Sequence, residues 1–217
     1  MLITQIEQAI CQRLTDGLGR MTRTVTSYGG EIDEDLGRIV RVLPAVWVTF
    51  GGISKTEPVS VSKRQYKSTG QFVVIVGDYS TRSEAASRRG GVNVNEVGCY
   101  RLIYAVRRLL TGQDLGLKIN PLVPGRVRTL FNTQVADRAL SVFACEFDTQ
   151  WLEGALASGA WPEHTRDRAH PDWLYNEYSG QVSQPDPDLL RVGTSYDPPG
   201  MGSPDDPADL VNLRKNT

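Results

Sequence analysis

Residues 71–76, QFVVIV, hold the most concentrated apolar and β-branched run in the chain. Five such residues in a row, between Thr69-Gly70 and Gly77-Asp78, predict a strand buried on both faces, and so a central one. A lone strand cannot hide its own apolar surface, so other segments must cover and flank it.

Two segments suit the covering role. Thr4-Gln5-Ile6-Glu7 has the capping-box pattern, and Ile3, Ile6, Ile10 and Leu14 share one stripe. They predict a helix over residues 5–17, stopped by Gly17 and Gly19. Asn95 is placed to cap a second helix reaching about Leu110. Its wide apolar face, Cys99, Leu102, Ile103, Val106, Leu109 and Leu110, makes it the best cover for the central strand.

The flanking strands follow from alternation and turn residues. Residues 45–50, AVWVTF, enter through Pro44 and leave through Gly51-Gly52. Residues 139–151 put Ser141, Phe143, Cys145 and Phe147 on one side and Leu140, Val142, Ala144 and Glu146 on the other. Residues 21–28 read as a half-exposed strand, and Val127, Thr129 and Phe131 as a short one. The polar, alternating residues 57–67 suit an edge strand or a projecting hairpin arm that turns into the central strand. Residues 31–40 suggest a short helix and residues 81–91 a basic loop or short helix. The expected fold is α+β: a mostly antiparallel mixed sheet with two main helices packed on it.

Near Trp151 the physical regime changes. Residues 1–151 hold 19 basic and 14 acidic side chains, whereas residues 152–217 hold 5 and 11, with eight of the twelve prolines. The expectation is a domain over residues 1–151, then an extended, irregular C-terminal arm over 152–217. Trp161, Trp173, Tyr175 and Tyr178 are the arm's candidate anchors, because large aromatics spaced along an irregular segment suit docking into pockets on the same or a neighbouring subunit. Residues 197–207 read as disordered unless held. No apolar run is long enough to span a bilayer, and no signal-peptide pattern opens the chain.

Catalytic chemistry finds little to work with. Both histidines, His164 and His170, fall in the arm, so residues 1–151 hold no Ser-His-Asp or Cys-His pair and no HExxH site. GxSxG, GxxxxGK[ST] and GxGxxG motifs are absent. His164 and His170 with Asp167 match no metal-ligand spacing. Cys11, Cys99 and Cys145 are odd in number and lie in apolar-patterned segments, as buried thiols of a reducing compartment would. Glu31, Asp33, Glu34 and Asp35 leave a carboxylate-dependent hydrolase as one reading, set against a solvated acidic surface. The expectation is a non-enzyme with no catalytic, cofactor or metal site.

A basic loop, Arg82, Arg88 and Arg89, suits contact with phosphates or an acidic partner, but without interleaved aromatics, in a chain that is not basic overall, it reads more readily as a solvated surface. Together with Glu57, Lys63, Arg64 and Tyr66 of the hairpin region, these residues are the candidate lateral or partner interface. The edge of the 139–151 strand is the second candidate surface.

An ordered set of short motifs then carries a resemblance. Glu84-Ala-Ala-Ser-Arg-Arg-Gly90, Val97-Gly98-Cys99-Tyr100, Val106-Arg107, Leu110-Thr111-Gly112 and Leu115-Gly116-Leu117 come first. Pro121-Leu122, Pro124-Gly125, Ala139-Leu-Ser-Val142 and Glu146-Phe147 follow. In this order the chain resembles the small tail proteins of Mu-like transposable phages and related prophages over roughly residues 1–150, and Pro44-Ala45-Val46 fits the same pattern. Members of that family look like tail terminators. The resemblance implies a tail-terminator-like sandwich that forms a ring, usually hexameric, at the head-proximal end of the tail tube. It further implies a virion protein of the neck, assembled in the bacterial host cytoplasm. Its partners would be itself, the tail tube protein and the head–neck connector or stopper, with DNA passing through the lumen without tight binding. A different neck component, a stopper or tail-completion protein, is the alternative. The acidic arm departs from the shorter family pattern and lends itself to lacing one subunit to the next or reaching a partner.

Overall fold

The computed structural model describes residues 2–30, 42–61, 64–80, 88–89, 97–135, 138–183, 191–195 and 208–212. The chain divides into two compact units, one ending at Ala157 and one beginning at Ser158.

The first unit is an α+β sandwich. In chain order it has α1 (Leu2–Leu18), a 3₁₀ turn (Gly19–Met21), β1 (Thr24–Ser27), β2 (Ala45–Pro58) and β3 (Gln65–Ser80). Then come α2 (Cys99–Leu110), β4 (Val123–Val135) and β5 (Arg138–Gly154). The sheet order is β1-β2-β3-β5-β4, with β1 parallel to β2 and every other pairing antiparallel.

The apolar run sits where its composition demands. β3 pairs with β2 on one side and along its whole length with β5 on the other. Phe72, Val74 and Val76 point into a core shared with α1 and α2, and Val73 and Ile75 into a second core on the opposite face. β5 repeats the division: Phe143, Cys145 and Phe147 face the helices, Leu140, Val142 and Ala144 the other side. Period-2 alternation thus carries both cores.

The helices follow their stripes. α1 buries Ile6, Ile10, Leu14 and Leu18, and α2 buries Cys99, Leu102, Val106 and Leu110, all in the helical-face core. α1 begins at Leu2, which places Thr4 inside the helix rather than at its cap. It runs past Gly17 to Gly19, whose φ of 50° ends it. α2 starts at Cys99 behind Gly98 (φ 79°), not at Asn95, which lies outside the described residues.

Two strand boundaries also move. β2 does not leave the sheet at Gly51-Gly52; the register shifts there, between Phe50 and Gly52, and again before Lys55, and pairing runs on to Pro58. The glycine pair is a bulge, which bends a strand without ending it. β3 likewise continues through Gly77-Asp78 to Ser80. The expected strand over residues 21–28 shortens to Thr24–Ser27, because Gly19–Met21 is a 3₁₀ turn.

In the second unit, a five-residue helix, α3 (Trp173–Glu177), and a hairpin of β6 (Arg191–Ser195) and β7 (Ala208–Asn212) are described. Glu163 bridges Ser183, and the Asp172 carboxylate accepts from the Glu163 N–H at 2.9 Å, closing a short loop. The short helix expected over residues 31–40, the acidic cluster within it, residues 197–207 and most of the basic loop lie outside the described residues.

Candidate interaction surfaces

The β2–β3 hairpin with the end of β5 forms a three-stranded tongue. A strand of 16 residues spans about 50 Å at ~3.3 Å per residue. Inside Gly70 and Trp151 the tongue carries core; beyond them residues 53–58 of β2 are exposed. Here Ile53, Val59, Val61 and Leu152 stand in solvent. Residues 57–67 thus project as a hairpin arm whose first limb, through Pro58, lies on an open edge, whereas Tyr66 and Lys67 of the return limb pair on both sides.

The hairpin's candidate contacts sit on this tongue with distinct surroundings. Glu57 is exposed and meets Lys55 at 2.8 Å; this hydrogen bond, then the lysine's charge, holds its carboxyl below the usual range. Arg64 is exposed, with its carbonyl accepting from the Ala155 N–H at 2.9 Å. Tyr66 is half-buried between Pro58 and Glu153. Lys63 and Arg82 lie outside the described residues, while Arg88 and Arg89 form part of a helical turn, half-exposed and exposed respectively.

The edge proposed on β5 is closed over Arg138–Asp148, and only its end, residues 149–154, has no strand on that side among the described residues. β5 is hydrogen-bonded to β3 and to β4, because β4 closes its far side. The longer open edges lie elsewhere among the described residues. β1 covers only Ala45–Val48 of β2, leaving the outer side of residues 49–58 without a strand. β4 has no outer neighbour, and exposes Val123, Val127 and Phe131. The sheet therefore offers two unlike edges. Sequence pattern finds only a short strand at Val127, Thr129 and Phe131, because bulges between Pro124 and Val127 and between Thr129 and Phe131 interrupt the full Val123–Val135 strand, and its place at the edge depends on its neighbours.

One buried polar group was also missed. Asp78 is 3% exposed, and its carboxylate accepts from the N–H groups of Tyr79 at 2.8 Å and Gly98 at 2.7 Å. It pins the start of α2 to the end of β3. The only signal for it was an acid directly after a long apolar strand, read as a strand terminator.

In the arm, Trp161, Tyr175 and Tyr178 are exposed. Trp173 is half-buried, with the Arg168 guanidinium 5.7 Å from its ring centroid. The imidazole of His170 lies 3.9 Å from Glu163 and accepts from the Asp172 N–H. No group of three His, Cys, Asp or Glu side chains among the described residues is placed to hold a metal ion. The thiols are held protonated: burial, then the charge of Glu7, pushes Cys11 up to about 11, and burial pushes Cys145 up to about 11. Cys99 rises for the same first reason, with Asp78 adding to it, and its Sγ lies 3.0 Å from the Ser141 carbonyl.

The family model for Bacteriophage Mu, Gp37 matches residues 2–152. The chain belongs to the Mu Gp37 family. The match runs from the first residue of α1 to within two residues of the end of β5, so the Gp37 region is the sheet unit, and the arm lies beyond it. The motif resemblance to Mu-like phage proteins is thereby met at the level of the family. No curated protein matches the chain.

Proposed function

We propose that this Gp37-family chain is a structural tail terminator. In this reading it forms a ring at the head-proximal end of the tail tube, stops tube polymerisation and docks the head–neck connector. Membership of the Mu Gp37 family, matched over residues 2–152 of the sheet unit, carries the reading. The sheet's geometry supports it. A closed ring is built from head-to-tail contacts, which require two different surfaces on each subunit. The outer side of β2 residues 49–58 and the outer side of β4 are such a pair, with the tongue's exposed Ile53, Val59 and Val61 extending the first. A six-membered ring is the expected closure. Net charge near zero suits a conduit that lets DNA pass without gripping phosphates, and no reaction is assigned to the chain.

Electron microscopy of a lysate from a phage lacking this gene tests the role. Overlong or ragged tails free of heads are the expected outcome. Normal-length tails beside tailless heads would move the protein to the connector or stopper position instead.

A further inference from the structure

The helical layer carries a groove that neither the sheet edges nor the tongue uses. α2 buries Cys99, Leu102, Val106 and Leu110 against the sheet and turns Tyr100, Arg101, Tyr104 and Arg108 outward. Where α2 passes the end of α1, a groove of about 510 Å3 opens, walled by Met21, Tyr100, Tyr104 and Leu109 and lined also by Arg101 and Arg108. Gly17 permits this close crossing, since a Cβ there would lie 2.5 Å from a Leu109 methyl. Tyr104 is 72% exposed and Met21 41%, an open apolar patch of the kind that marks an interaction site.

Charge narrows the occupant. α2 holds three arginines and no acid, and no residue lining the groove is acidic. Arg101 and Arg108 have no hydrogen-bond or ion-pair partner among the described residues, whereas Arg107 donates to the Gly125 carbonyl at 3.1 Å. An apolar slot flanked by two guanidinium groups that have no partner among the described residues fits an aromatic side chain carried on an acidic segment. This chain contains such a segment. Residues 158–217 hold ten acids and five bases, and Trp161, Tyr175 and Tyr178 are exposed there beside Glu163 and Glu177.

We propose that the groove receives the arm of a second copy of this chain. One of the exposed arm aromatics enters between Met21 and Tyr104, and neighbouring arm carboxylates meet Arg101 and Arg108. Exchange of an identical element between copies is a low-cost route to association, because each copy carries both the arm and its receptor. The proposal rests on the chain's self-association, but not on its control of tail length.

The test places a photo-crosslinking phenylalanine analogue at Tyr104 of the full chain, prepared at natural abundance and in nitrogen-15. The two preparations are mixed dilute, concentrated together, irradiated and mapped by mass spectrometry. Crosslinks to residues 158–183 that join a light peptide to a heavy one are expected at high concentration. Arg101→Glu with Arg108→Glu should reduce their yield at least tenfold, while Lys118→Glu, an exposed lysine away from the groove, leaves it unchanged. Crosslinks to the arm confined to a single label mean that the arm docks on its own copy, and overturn the exchange. Crosslinks elsewhere, or none across the concentration series, overturn the arm as occupant. Each of these leaves tail length in the gene-deleted phage, the readout of the terminator role, untouched.

Discussion

At the scale of single residues, the strongest constraints are close approaches and buried polar groups. Gly70 faces Trp151, whose indole occupies the space a Cβ would need. Both lie on paired strands, and Trp151 is buried, so neither yields easily. Gly70→Ala should cost about 1–3 kcal/mol, as overpacking does, measured by urea denaturation. Asp78→Ala should cost a similar ~1–3 kcal/mol, because it leaves the buried Gly98 N–H without its acceptor; an unchanged midpoint would show that water replaces the carboxylate. The thiols predict a pH dependence of definite sign. Cys11 and Cys145 rise from 9.0 to about 11 in the folded state, so the unfolded chain releases those protons first. Their contribution is complete below about pH 9 and is lost as pH rises through about 11. Thermal midpoints across that window should fall less steeply in a Cys11→Ser, Cys145→Ser double variant.

Elements divide between those that hold the fold and those that reach out of it. α2 covers the centre of the sheet, so Leu102→Ala should destabilise by about 2–5 kcal/mol, the usual range for a buried leucine. The tongue behaves oppositely, since beyond Gly70 and Trp151 its exposed residues carry little core. Replacing residues 59–64 by a two-residue turn should leave the thermal midpoint within a few degrees of the parent, yet reduce assembly into rings or onto tubes, read by negative-stain microscopy. The exposed Lys55–Glu57 pair is a poor place to look for stability, because surface ion pairs contribute only ~0–1 kcal/mol.

For the whole molecule, the division at Ala157 separates a compact sheet unit from an acidic arm. A chain ending at Ala157 should keep the cooperative unfolding of the sheet unit, measured by calorimetry, and lose whatever association the arm provides. In the phage, the same truncation should separate length control from particle stability. Tails of normal length that detach more readily would assign the arm to lacing.

Much of this architecture was legible before any coordinates. The buried strand at residues 71–76, the two faces of β5 and the stripes of α1 and α2 are local periodicities, and a period of 2 or 3.6 encodes burial residue by residue. The family, too, was visible in short ordered motifs. What lay beyond the sequence were properties of neighbours. Whether a strand has an open edge depends on which segment pairs with it, so β5 lost its edge over Arg138–Asp148 to β4, of which the sequence showed only a short stretch. Whether Gly51-Gly52 ends a strand or bends it depends on the ladder opposite. The Asp78 anchor and the groove beside Tyr104 likewise join residues about 20 and more than 80 positions apart. Periodicity records how deeply a residue lies; only the tertiary structure decides what lies beside it.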